Sequence, residues 1–248
     1  IDFNIRAGNT LVGYATQAEL EKVAAGDLLL REEVKGVIEV AEDTASLYQC
    51  FLKAQIEGDQ SPAEFRRQLK DKFAEVRLKC DAFLAETYEL GLAKKSKKLS
   101  KWKASYQPFH WFVEFYDIMS NGGFDVTIGN PPYLEYSKVK SYKIRNYSTE
   151  NCSNLYAFTV ERSFVLSGAK GRSGMITPIS VACSGAMQPL RNHFAQTSRS
   201  FWLSHFSNRP GQLFTGAQNR LTIFVASGRQ ADPRQFSTRY HRWDAKND

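Results

Sequence analysis

The chain has 248 residues, of which 42% are hydrophobic and 24% charged, with a formal net charge of +7. These proportions are ordinary for a soluble globular protein of one large or two small domains, and no apolar run reaches the roughly 20 residues that a membrane span needs. Four scattered cysteines (Cys50, Cys80, Cys152, Cys183) form no CxxC pair and stand near no His, which argues against a metal site and a disulfide framework and makes a reducing cytoplasm the expected compartment.

In chain order, Ile1-Asp2-Phe3-Asn4-Ile5 alternates and Gly8-Asn9-Thr10-Leu11 follows, which predicts a short strand feeding a turn. The chain opens without an initiator Met or the layout of a secretory signal, so the expectation is a cut end within a longer protein. From about Gln17 to Ala104, Ala, Leu, Glu and Lys dominate. Glu19 to Glu57 reads as one helical stretch. Ser61-Pro62-Ala63-Glu64 is a capping-box pattern with Pro at the first helical position. Behind it Phe65, Leu69, Phe73, Val76, Cys80, Phe83 and Leu84 recur at three- and four-residue steps, the stripe of an amphipathic helix. The two stretches predict a helical hairpin. Lys94 to Lys103 holds six lysines in ten residues and reads as a solvated linker, with a contact to a DNA backbone as the alternative.

After Trp111 the pattern becomes α/β. Phe124 to Gly129 is a short strand, Asn154 to Ser167 a helix, Ser173 to Ile179 a buried strand and residues 185–197 a second helix. Two more strands, at 200–206 and 221–226, flank a Gly-rich loop. This order predicts a mostly parallel sheet with an antiparallel hairpin at its edge. Arginine dominates the same half: between Arg162 and Trp243 stand ten Arg, one Lys and one acid, a local net of +10 against −3 for the remainder. Guanidinium forks match phosphate, so the asymmetry points towards nucleic acid.

The chemistry concentrates in Gly129-Asn130-Pro131-Pro132-Tyr133, a loop that leaves a strand at its carboxyl end, where open α/β sheets collect functional groups. Two prolines fix φ and remove two donors, leaving rigid carbonyl acceptors. Asn130 adds a side-chain acceptor beside them. A rigid acceptor pair suits an exocyclic amino group, which presents two hydrogens. Accepting both drives the nitrogen from planar towards tetrahedral and frees its lone pair to attack an electrophilic methyl group. Tyr133 offers a flat face for a base extruded from a helix.

Asn-Pro-Pro-Tyr after a strand resembles the catalytic motif of S-adenosylmethionine-dependent amino-methyltransferases, which act on adenine or, in related groups, on cytosine. Asn154-Leu155-Tyr156-Ala157-Phe158 resembles the segment after their catalytic loop, and Gly171 to Pro178 the next sheet strand. Leu213 to Asn219 resembles the loop whose aromatic stacks on the far face of the flipped base. The resemblance implies Asn130, Pro131 and Pro132 as the catalytic loop and Tyr133 with Phe214 as the base clamp. It also implies Asn9, where many relatives carry Asp, as a contact to the adenine ring of S-adenosylmethionine. The whole looks most like the large adenine-specific DNA methyltransferases of restriction–modification systems, in which helical insertions interrupt the catalytic domain. The partner so implied is double-stranded DNA with a flipped target base.

The fold this implies is a partial class I, Rossmann-like α/β core. Residues 1–14 would end the cofactor-binding part, 15–105 form a helical insertion, 106–228 the catalytic core and 229–248 a linker. The family's glycine-rich cofactor loop is missing, and no acid ends a second strand to hold the ribose; Gly122-Gly123 precedes the catalytic strand instead. The isolated chain is therefore expected to bind cofactor weakly and to be inactive. Two other readings stay open: a methyltransferase acting on ribosomal RNA guanine or protein glutamine, and a non-catalytic DNA-binding or specificity module.

Overall fold

The computed structural model describes residues 5–57, 62–88, 96–209, 213–214 and 218–242. The chain divides into two compact units, Ile1–Asn121 and Gly122–Asp248. Among the described residues no helix is long and apolar enough to cross a membrane, and no group of His, Cys, Asp and Glu could hold a metal ion.

The first unit is helical. Its opening, described from Ile5, forms no strand but an isolated parallel bridge between Asn9 and Pro108; Ile1 to Asn4 lie outside the described residues. Helix α1 (Gln17–Glu21) starts at Thr16, whose side chain accepts from Glu19 N. The single helix expected from Glu19 is split. Gly26 takes φ +99°, and Asp27 Oδ1 accepts from Leu29 N and Leu30 N, so a new helix, α2 (Leu28–Glu57), begins there. Helix α3 (Pro62–Thr87) packs along α2, giving the predicted pair. Ser61 of the capping-box pattern lies outside the described residues. Of the predicted stripe, Leu69, Phe73, Val76, Cys80 and Leu84 are buried, opposite Val34, Val37, Ile38, Ala41 and Phe51 of α2.

The lysine-rich stretch read as a linker is helical from Ser96 to Tyr106 (α4). Trp102 is buried and stacks on Tyr106 at 5.0 Å, and both rings meet Tyr88. Helical spacing of these aromatics anchors a segment whose lysines alone argue for solvent; Lys94 and Lys95 lie outside the described residues. Two short helices, α5 (Trp111–Glu114) and α6 (Tyr116–Ser120), complete the unit. Buried Glu114 takes a bidentate pair from Arg77 and an ion pair from Arg6 Nε at 3.2 Å, while both guanidinium groups lie over the Phe73 ring.

The second unit is a mixed α/β layer. Strand β1 (Val126–Gly129) leads through the Pro-Pro loop to α7 (Leu155–Leu166), β2 (Arg172–Pro178), α8 (Ser180–Cys183) and α9 (Gln188–Gln196). Strands β3 (Arg199–Phe206), β4 (Leu221–Arg229) and β5 (Gln235–His241) follow. Sheet order is β1-β2-β4-β3-β5. Four of the five strands run the same way, as a mostly parallel sheet requires: β1–β2 and β3–β5 pair parallel, and β4 alone is reversed, antiparallel to both neighbours. The β3–β4 hairpin does not lie at the edge as expected, because β4 seats its second edge on β2 and β5 covers the outer edge of β3. Strand β5 was not foreseen: six of its seven residues are exposed, so it has no apolar alternation to betray it.

One sheet face is covered by α7 and α9. Phe164, Phe194, Phe201 and Phe224 meet there with centroids 4.6 to 6.4 Å apart, together with Tyr156, Val160, Met175 and Leu190. Such ring pairs add about 0.5–1.5 kcal/mol each beyond the burial of their area. On the other face Val225, Trp202 and Phe236 stand in register on three adjacent strands, each 45% exposed.

Candidate active site

The loop 130–133 is built by what precedes and follows it. Gly123 takes φ +99°, and a Cβ there would lie 2.4 Å from the Leu166 carbonyl oxygen; a Cβ at Gly168 would lie 1.8 Å from that of Gly122. Only glycine permits this approach, which lets Phe124 N donate to Leu166 O at 2.8 Å and starts β1 beside the end of α7. This is the place of Gly122-Gly123 in the fold. Along β1, Thr127 Oγ1 meets Ser173 Oγ at 2.7 Å, and Gly129 pairs with Met175 of β2. The prolines then end the ladder, since neither has an N–H to give.

Beyond the loop the chain is clamped to α7. Leu155 N donates to Leu134 O at 2.9 Å, Tyr136 N to Ser153 O at 2.8 Å, and Glu135 bridges Asn154. Asn154 caps α7, its side chain accepting from Tyr156 N, as expected of a segment opening a helix.

Within the loop, Asn130 is exposed, and its side chain makes no hydrogen bond among the described residues. Pro131 is buried and Pro132 exposed. Tyr133 is half-buried: its ring stands edge-on to Tyr156 at 6.5 Å and packs on the core cluster, and its hydroxyl donates to Ile176 O at 2.9 Å. Burial pushes its hydroxyl pKa up, so the phenol stays protonated as a donor. Tyr156 in turn shares a hydrogen bond of 2.8 Å with Ser180 Oγ. Tyr156 and the Ile176 carbonyl are the supports that sequence reasoning missed. Both lie inside segments that it singled out, but nothing in their spacing tells which side chain turns inward.

Phe214, in the loop between β3 and β4, is 42% exposed; Thr215 to Ala217 beside it lie outside the described residues. Asn208 Nδ2 donates to Gln218 O at 2.8 Å across the base of this loop. Asn9 belongs to the other unit. It is half-buried, its N–H donates to Gln107 O at 2.7 Å, and its Oδ1 accepts from Leu11 N at 3.1 Å. The side chain thus shapes its own turn.

The arginines of the second unit divide by role. Arg199 is buried among backbone oxygens, donating to Gly171 O and Ser227 O at 2.7 and 2.6 Å and also to Gly168 O. Arg162 is buried against Tyr147, donating to its hydroxyl at 2.8 Å, and Arg191 spans Val181 O and Ser184 O. These three hold the fold. Arg172, Arg209, Arg220, Arg229, Arg239 and Arg242 are exposed, with no ion pair among the described residues. The positive surface is therefore smaller than the count of arginines implies.

The chain is similar to proteins of restriction–modification systems. A protein of Methanocaldococcus jannaschii named as a type II restriction enzyme and methyltransferase is 24% identical over 256 residues, which cover 88% of this chain and 21% of the relative. The chain spans about a fifth of that relative's length. Among solved structures, the DrdV–DNA complex overlays 67% of this chain and 20% of its own, at 12% identity and a TM-score of 0.39. A modification subunit of a type I restriction enzyme from Vibrio vulnificus overlays 49% and 27%, at 12% identity and a TM-score of 0.34. The model of the Eco57I restriction-modification methylase family matches residues 66–214, more than half of the chain and all of the segment from β1 to Phe214, and the chain belongs to that family.

Proposed function

We propose that this chain carries the catalytic loop of an S-adenosylmethionine-dependent methyltransferase acting on the exocyclic amino group of adenine in duplex DNA. The observation that carries the reading is the contrast within one short loop. Asn130 is exposed with no internal hydrogen-bond partner among the described residues, while Tyr133 beside it is anchored by its hydroxyl and its edge. An acceptor kept free next to an aromatic kept still is what a flipped base requires. The Asn130 amide oxygen and the Pro131 carbonyl accept the two amino hydrogens of adenine. Tyr133 stacks on one face of the ring and exposed Phe214 on the other. In this reading residues 106–228 are the catalytic core, a partial class I sheet, and the helices of residues 15–105 are an insertion.

The residues present fit only part of the methyl donor. Asn9 Oδ1 keeps a second lone pair beyond its bond to Leu11 N, enough to accept from a purine amino group. The sequence has no glycine-rich run of the kind that holds the methionine end and no acid ending a second strand for the ribose. When bound, the donor supplies an electrophilic methyl group; the part of this chain is to hold and polarise the amino group that receives it.

The test uses the full-length protein in a host without DNA methylation, with its DNA digested to nucleosides and analysed by mass spectrometry. N6-methyladenine is expected, and Asn130→Ala should abolish it while DNA binding persists. Methylcytosine would keep the mechanism and change the base. Unmodified DNA from a folded, cofactor-bound protein would defeat the reading and favour an RNA or protein substrate.

A further inference from the structure

We propose that α4 is a docking surface for the phosphate backbone of duplex DNA, with Lys97, Lys98 and Lys101 as the contacts; the proposal rests on the reading of DNA as substrate. At about 100° per residue, these three lysines fall within a single arc of roughly 100° on the helix. A second arc, centred about 120° away, carries Leu99, Trp102 and Tyr106. That side is fixed: Trp102 is 5% exposed, it stacks on Tyr106, and Tyr88 closes on both rings. At the C-terminal end Lys103 Nζ pairs with Asp81 Oδ2 at 2.6 Å, and Asp81 Oδ1 meets His110 Nε2 at 3.1 Å. His110, 1% exposed, accepts from Tyr14 N through Nδ1. The helix is therefore held on its aromatic side and at its end by buried groups.

The lysine face has no such support. Lys97, Lys98 and Lys101 are exposed and make no ion pair among the described residues, whereas Lys72, Lys79, Lys103 and Lys138 each find an acid. Lys97 and Lys101 stand four residues apart and Lys98 and Lys101 three, spacings at which like charges repel along a helix. A helix that keeps three unpaired cations on one face, and is rigid on the other, presents a preformed row of charge. A polyanion with regularly spaced phosphates matches it, and the release of counterions from that polyanion drives the contact. The surrounding sequence sharpens the point, since all residues outside 162–243 sum to −3, which makes α4 a local positive patch in a net acidic part of the chain.

The experiment measures binding of a fluorescein-labelled duplex of arbitrary sequence to the full-length protein by anisotropy over a series of salt concentrations. Each phosphate contact contributes about 0.9 to the slope of log K against log salt, so Lys97→Gln/Lys98→Gln/Lys101→Gln should make that slope shallower by about 2 to 3. The same charge change placed elsewhere on the unit, at exposed Lys35, Lys53 and Lys70, should leave the slope unchanged. Melting curves that coincide with wild type would establish that both triple variants fold. An unchanged slope in the α4 variant, or an equal loss in the control variant, would overturn the proposal while leaving DNA as substrate. No DNA binding by the wild type would overturn both.

Discussion

The hydroxyl of Tyr133 donates to the main-chain oxygen of Ile176 at 2.9 Å, tying the loop after β1 to the middle of β2. The ring also stands at 88° to that of Tyr156, so an edge and a tip are fixed while part of the ring stays exposed. Tyr133→Phe removes the tip alone. Its expected cost is about 1 kcal/mol of stability, the usual worth of one hydrogen bond, with methyl transfer reduced less than tenfold. Tyr133→Ala removes the stacking face, worth roughly 1–3 kcal/mol per base, and should lower affinity for DNA carrying a flipped or abasic-paired adenine by tenfold or more. Thermal melting and titration of that DNA into both variants separate the two effects. Equal affinities for the Phe and Ala variants would mean that the ring does not touch the base.

Arg199 offers a test of the fold rather than of the chemistry. It is buried with its guanidinium at the C-terminal end of α7, where the Phe164, Gly168 and Gly171 carbonyls converge, and it lies over the Phe164 ring at 5.4 Å. A cation suits the negative end of a helix dipole. Burial lowers its pKa, though an arginine stays charged at any working pH. Arg199→Leu leaves several buried carbonyls without donors and should cost about 2–4 kcal/mol, read as a lower midpoint in urea at an unchanged slope. Arg229→Leu, on the exposed end of β4, should shift the midpoint little. Similar midpoints for the two variants would contradict a structural role for Arg199.

Acid should loosen the second unit through His193. This ring stacks on Phe164 at 5.9 Å, its Nδ1 meets Ser148 Oγ at 2.9 Å, and its Nε2 is buried without a hydrogen-bond partner among the described residues. Burial lowers its pKa below the ordinary 6.5, against the opposing pull of Glu161. A depressed pKa means that the folded state favours the neutral ring. The stabilisation is complete above pH 6.5 and fades as pH falls through the lowered value, because the unfolded chain takes the proton first. Burial lowers the pKa of His205 as well, which acts in the same direction. His193→Asn should therefore flatten the fall of melting temperature between about pH 7 and 5. A slope as steep as that of wild type would remove His193 as its source.

The sequence by itself determined the parts set by neighbours along the chain. The stripe from Leu69 to Leu84, the helix opening at Asn154 and the strands around residues 126, 175, 203 and 224 follow from periodicity and cap chemistry, and the loop 130–133 was legible as the end of β1 because proline has no N–H to continue a ladder. What depends on partners far along the chain was not legible. Strand β5 pairs through its backbone while its side chains stay exposed, α4 is held by Tyr88 and Asp81, and β4 chose a place between β2 and β3 that no local pattern encodes. Arginine content spoke for phosphate, yet Arg162, Arg191 and Arg199 are spent on internal oxygens. A residue's type fixes what it can bond, and only the tertiary structure decides whether water, the backbone or another side chain is there to be bonded.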